Sequence, residues 1–340
     1  MIAGLFLIFC IVLILPFLIK KVEHNLEIFL FVMGILAVTI SGLWSFHLIE
    51  EAFVEPVKIT VAVGVAGLIF KKFQNKIRNK ITMIADKMGH KLFLFCLVVI
   101  LGLASSVITA IIASLVLVEI ITGLKYEKKV ETNIVIITCF AIGLGAALTP
   151  IGEPLSTIAI AKLRYPPHNA DFWYLAKLLW AYIIPEILIL GLIASYFHTK
   201  TDKAHTLSED KQENVQDILL RTGKVYLFVM ALIFLGTGFQ PIIDQYISKL
   251  SSAALYWINI SSAILDNATL TAAEITHNMT TSQIKAILLG LLVAGGMLIP
   301  GNIPNIISAG KLKISSKNWA KLGVPLGLII MLVNFLILFL

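Results

Sequence analysis

Charge is scarce in this 340-residue chain. Asp, Glu, Lys and Arg make up 14% of it and hydrophobic residues 58%, against roughly 25% charged in an ordinary soluble domain. That balance excludes a soluble fold of this size. Cysteine is scarce as well: Cys10, Cys96 and Cys139 each lie in apolar helical sequence without metal-ligand spacing, which points to buried small side chains and away from redox or metal chemistry. The seven His residues fall in loops or near span ends with no paired spacing, so no resident metal and no cofactor is expected. No serine stands in a Gly-x-Ser-Gly setting, and Asp266 is the one aspartate inside an apolar stretch. Intramembrane proteolysis is therefore not expected, and the chain reads as a non-enzyme. The first apolar run has no basic residue before it and no small-residue cleavage site, so it reads as a retained helix. The net charge of +7 does not imply nucleic acid, because the basic residues sit in short loops between apolar segments, where they orient a membrane protein.

What is abundant is long apolar sequence. Met1 to Ile19, Leu26 to Ile49 and Leu322 to Leu340 reach or approach the ~20 residues needed to cross a bilayer core of about 30 Å. Alternating sides along the chain places Lys20-Lys21 inside, Glu50-Glu51-Glu55 outside and the basic run from Lys71 to Lys91 inside. Strict alternation then fails. Leu92 to Leu103 reads as too short to cross, and Ala110 to Gly123 leads to another basic loop at Lys125, Lys128 and Lys129. The economical solution is a re-entrant hairpin from the cytoplasmic side that turns near Ser105-Ser106. A second hairpin, entering from the outer side, has arms Ser251 to Ile260 and Ala268 to Ile275 around a polar tip at Ser261 to Asn267. With both accepted, 21 of the 27 Lys and Arg lie inside and six (Lys58, Lys162, Arg164, Lys177, Lys249, Lys285) outside, the asymmetry that the positive-inside rule predicts. The fold class is thus an all-α polytopic membrane protein of eight full spans and two hairpins, with both termini outside and membrane lipid as its surroundings.

Each hairpin is followed by a span interrupted by helix breakers. The first reads Leu148-Thr149-Pro150-Ile151-Gly152-Glu153-Pro154-Leu155-Ser156-Thr157, the second Leu298-Ile299-Pro300-Gly301-Asn302-Ile303-Pro304-Asn305. Placing Pro150 over Pro300 also places Pro154 over Pro304. Such a helix loses intrahelical bonds that lipid cannot replace, so the breaks must face protein or a watery cavity. Corresponding interrupted segments in two inverted halves point to a transporter binding site. Unwound carbonyls, half-helix ends and small polar side chains can coordinate a cation there. The residues available are Ser105, Ser106, Thr109, Thr149, Ser156 and Thr157 in the first half, and Ser261, Ser262, Asn267, Thr269, Asn302 and Asn305 in the second.

The run Gly145 to Pro154 followed by Ser156-Thr157, and the run Ser262 to Thr269, resemble the signature stretches of the ion transporter superfamily. That group includes NhaD-type sodium/proton antiporters, arsenite permeases and dicarboxylate/sodium symporters. The chain looks closest to a prokaryotic family of cation transporters, which implies a plasma-membrane location. The resemblance covers most of residues 92–163 and 251–312. It implies a scaffold domain, a transport domain of hairpins and broken helices, an elevator-like movement and a homodimer. On this division, residues 1–91 are scaffold helices. Residues 92–197 are the first repeat (hairpin 92–124, broken helix 132–163), and 198–222 a cytoplasmic linker. Residues 223–340 are the second repeat (hairpin 250–280, broken helix 284–312) with the last helix. Two departures stand out: the first hairpin tip lacks the Asp-Asn pair of Asp266-Asn267, and the second break has Pro300-Gly301-Asn302 in place of the fuller Thr-Pro-Ile-Gly pattern.

Acids inside spans cost about 2.5–3.5 kcal/mol on insertion scales, so each calls for a role. Asp266, at a hairpin tip, reads as ion ligand and proton acceptor, and Glu153, inside a break, as second carboxylate. Glu119 and Glu274 on the second hairpin arms and Glu186 after Pro185 are coupling candidates: the first two either line an access path or simply reach an aqueous boundary, and Glu186 is either a proton relay or a structural group at a kink. The expectation is a secondary transporter of a small monovalent cation, Na⁺ exchanged for H⁺, with Na⁺ as cargo. The absence of Lys, Arg and His from tips and breaks favours a cation. The alternatives are a carboxylate or oxyanion transporter coupled to Na⁺ or H⁺, and an ion channel built on the hairpins.

Overall fold

The structure is a computed structural model. It describes the chain except residues 20, 23–24, 55, 58–59, 62–63, 66–67, 69–82, 86, 125, 198–214, 243–244, 246–249 and 266, and the side chains of 13, 17, 215, 217, 218, 221, 269, 272 and 273. Among the described residues all regular structure is helical. Among the described residues, five helices are long and apolar enough to cross a membrane: His90–Ile108, Lys128–Ala146, Tyr174–Tyr196, Thr222–Ile242 and Ser316–Phe339. The molecule is a membrane-spanning protein.

Two layers of contact position the site. The N-terminal helices α1 (Ile2–Leu18) and α2 (Leu26–Ser41) pack together, and α2 lies along the whole face of α8 (Val215–Ile242). There Lys224 and Glu27 form an ion pair of 2.6 Å, and Phe31 and Trp44 pack on Phe234. The remaining helices form the larger body. α3 (His90–Ile108) and α4 (Ala110–Leu124) are joined through the single residue Thr109. They are followed by α5 (Lys128–Ala146), α6 (Pro154–Lys162) and α7 (Tyr174–Tyr196). After α8 come α9 (Ser252–Ile258), a 3-10 turn (Asn259–Ala263), α10 (Asn267–Glu274), α11 (Thr281–Gly295), a second 3-10 turn (Ile299–Gly301), α12 (Ile303–Leu312) and α13 (Ser316–Phe339).

Burial follows the apolar pattern all round two helices. Every residue of α5 from Ile134 to Ala146 and of α11 from Ala286 to Gly295 is buried, as expected of helices that face protein on all sides. α3 and α7 cover α5, while α9 and α13 cover α11. The two halves then exchange contacts: α4 packs on α12, and α10 packs on α6.

One expectation is corrected. The segment expected to be a dozen residues turning at Ser105-Ser106 is the 19-residue helix α3, and the turn comes at Thr109, whose φ is 75°. The two serines stay helical because each hydroxyl bonds within its own turn, Ser105 Oγ to Gly102 O (2.6 Å) and Ser106 Oγ to Leu103 O (2.7 Å), as serine can in apolar helices. α3 is therefore long enough to cross, whereas α4, at 15 residues, is shorter than a full span.

Candidate functional site

The two breaks are real and buried. Between α5 and α6 the chain leaves the helix over residues 147–153, and between α11 and α12 over residues 296–302. A proline stands in the first turn of both following half-helices, where its missing N–H leaves no bond unmade. Several of the polar groups freed by each break are taken up by neighbouring protein, since lipid offers no partners.

In the first break, Thr149 donates its hydroxyl to the carbonyl of Ser106, and Thr149 Oγ1 accepts from the Ile151 amide (3.2 Å). Thr157 Oγ1 donates to Pro150 O (2.6 Å), and Ser156 Oγ to Ala146 O (3.5 Å). Gly152 O accepts from the Ala110 amide at the start of α4 (2.9 Å). The turn at Thr109 is thus pinned on the break from both sides. Ser105 Oγ also reaches Ile142 O at 2.9 Å. A Cβ on Gly145 would lie 1.8 Å from Gly102 O, so only glycine allows α3 and α5 this approach.

The second break repeats the scheme with different side chains. Asn305, fully buried in α12, donates Nδ2 to Gly295 O and Leu298 O, both at 2.8 Å. Ser262 shares its hydroxyl between Asn267 Oδ1 and Leu291 O, the latter at 3.1 Å. A Cβ on Gly301 would lie 2.7 Å from Ser262 O. Trp319 of α13 donates Nε1 to Gly296 O at 3.1 Å. The α3–α4 turn therefore sits on the first break, and the segment from α9 to α10 on the second.

The second break also lies against the helix that leads into the first. Cys139 Sγ of α5 is 3.6 Å from Pro304 O and 3.4 Å from Ser308 Oγ. Asn302 Nδ2 lies 2.5 Å from where a Cβ on Gly143 would stand, so the amide occupies the space that glycine leaves open. Among the described residues, Asn267 Nδ2, Asn302 Nδ2, Asn305 Oδ1 and Ser261 Oγ are buried atoms without a hydrogen-bond partner. A polar cluster left this incomplete is an unusual thing to bury.

Glu153 is buried as the N-cap of α6, where the positive end of the helix dipole offsets part of a negative charge. Thr157 is exposed, and Thr109 is half-buried with its hydroxyl accepting from the Ile112 amide at 3.4 Å. Asp266, expected as the principal ligand, and the side chain of Thr269 lie outside the described residues.

The three coupling candidates stand apart from this cluster and differ from one another. Glu119 forms a buried ion pair with Lys311. Glu274 accepts from Asn259 Nδ2 at 2.9 Å through Oε2. Glu186 buries both carboxylate oxygens beside the Asn334 amide. Lys311 and Asn259 were missed in the sequence. Lys311 reads as one more basic residue of a cytoplasmic loop, and Asn259 as part of an apolar arm. A glutamate in each hairpin's second arm was the available signal that partners had to exist.

With this geometry in view, the chain belongs to the family described as "Protein of unknown function (DUF1646)", which it matches over residues 2–340. No curated protein matches it.

Proposed function

We propose that this DUF1646-family chain is a secondary active transporter of a small monovalent cation, Na⁺ exchanged for H⁺, and a relative of the ion transporter superfamily. The observation that carries the reading is the pair of buried, proline-bearing breaks, each held by its own hairpin and set against the other half. Membrane helices broken in matching places, with polar atoms left unfilled beside them, are the construction of a midplane binding site. On this reading α3–α4 and α9–α10 are the hairpins of two inverted repeats, α1, α2 and α8 belong to the scaffold, and the transport body moves against that scaffold in a homodimer. The ion is held by break carbonyls, Glu153, Asp266 and the hydroxyls and amides around them. Desolvation favours the protonated carboxyls and the bound cation favours the ionised ones, so sodium and protons compete for the same charge.

A second reading has one observation in its favour: Asn267 and Asn302 present unfilled N–H donors, which suit a carboxylate or oxyanion. The same assay separates the two. In proteoliposomes holding a proton gradient, added Na⁺ or Li⁺ collapses the gradient in a saturable way on the cation reading. Collapse by dicarboxylates or oxyanions alone would replace it with the second, and unitary conductance steps in planar bilayers would replace both with a channel.

A further inference from the structure

The second arms of the two hairpins each carry one buried glutamate, and the two are neutralised differently. Glu119 on α4 meets Lys311 on α12, the half-helix that α4 packs against. Glu274 on α10, which packs in the same way on α6, meets no cation among the described residues. Its Oε2 accepts from Asn259 Nδ2, and its Oε1 has no hydrogen-bond partner although the residue is only 3% exposed. Asn259 Oδ1 and Thr271 Oγ1 belong to residues with no exposure at all and are likewise unpartnered. Thr271 lies three residues before Glu274, on the same helical face. The elements packed around α10 carry Glu153 at the N-cap of α6, Lys162 in α6, Lys224 in α8 and Lys285 in α11, while the side chains of Asp217 and Arg221 in α8 lie outside the described ones. Lys224 is engaged by Glu27, and Lys285 stands over the Tyr182 ring at 5.7 Å. Asp266, just before α10, is outside the described residues, and His277, in the loop after it, is exposed.

A buried carboxylate with no counter-charge either takes a proton or holds a cation. A cation the size of Na⁺ needs more oxygens than Glu274 and Asn259 supply, whereas a proton needs only the carboxyl and one acceptor, and the Asn259 amide carries an unpartnered Oδ1 beside the Nδ2 that already meets Glu274. We propose that Glu274 is a proton-binding site separate from the cation site at the breaks. Its carboxyl is held on one oxygen by the Asn259 amide and carries the exchanged proton on the other. Its place in a transport cycle rests on the reading above; the proton itself rests on the geometry alone. Glu119 has no such role, since Lys311 already supplies its positive charge.

Infrared spectroscopy of the full-length protein in liposomes tests this. The difference between wild-type and Glu274→Gln spectra at mildly acidic pH should contain a carboxylic C=O stretching band that is lost on alkalinisation and is present unchanged in Glu119→Gln. Asn259→Ala should shift that band, because one carboxyl oxygen loses its donor, and this second variant serves if Glu274→Gln does not fold. Identical carboxylic bands in wild type and both Glu274→Gln and Asn259→Ala, or a Glu274 band that persists at alkaline pH, would overturn the proposal. Sodium-dependent proton flux in the same liposomes keeps the two readings distinct. A titrating Glu274 band without flux leaves the proton site standing and removes the transporter, and flux without the band removes Glu274.

Discussion

Glu119 and Lys311 form a buried ion pair between residues 192 positions apart, tying the second arm of the first hairpin to the half-helix beyond the second break. Both side chains are largely enclosed, at 8% and 14% exposure, so the Glu119 charge is not relieved by water when Lys311 is removed.

Lys311→Met should accordingly destabilise the protein by about 3–5 kcal/mol, the cost typical of leaving one buried charge, here that of Glu119, alone. Replacing both residues with Met should recover most of that loss. Denaturant unfolding of the detergent-solubilised protein measures both, and a single variant as stable as wild type would show that the pair is not closed.

Gly145→Ala should separate α3 from α5, because the new methyl would stand 1.8 Å from the Gly102 carbonyl, and backbone cannot rotate aside. A loss of about 1–3 kcal/mol is expected for such overpacking. Gly223→Ala, where nothing lies within 4 Å of the added atom, should instead be neutral or gain up to about 1 kcal/mol of helix propensity. Melting temperatures of the two variants side by side make the comparison.

Asn305→Ala should strip the donor from two buried carbonyls, Gly295 O and Leu298 O, at about 1–3 kcal/mol for each group left unsatisfied. Increased proteolysis within residues 296–302 is the accompanying readout.

Asp266→Asn and Glu153→Gln should each yield folded protein without cation exchange. Retained exchange by Asp266→Asn would take that residue out of the site, and the proteoliposome assay decides it.

The breaks could be read from the chain because two prolines four apart with a glycine between them, Pro150–Pro154 and Pro300–Pro304, cost a helix several bonds at once, whereas the lone Pro185 and Pro325 stand inside continuous helices. The turn of the first hairpin could not. Ser105 and Ser106 look like a polar tip, yet their hydroxyls bond back to Gly102 and Leu103 and let α3 run on to Thr109, which carries a positive φ without being glycine. Partners of the buried acids were equally hidden. Nothing near Glu119 in sequence announces Lys311, and nothing near Glu274 announces that Asn259 will reach it from the opposite arm. Periodicity reports which faces are buried and is silent about which buried groups meet.

The cross-packing of α4 on α12 has a consequence for biogenesis. Glu119 leaves the ribosome 192 residues before Lys311, an interval of roughly ten to forty seconds at ordinary elongation rates. Through that interval the nascent first half must wait in the bilayer, or beside the translocon, with an acid whose counter-charge has not yet been made. The last helices to be inserted therefore complete the first ones.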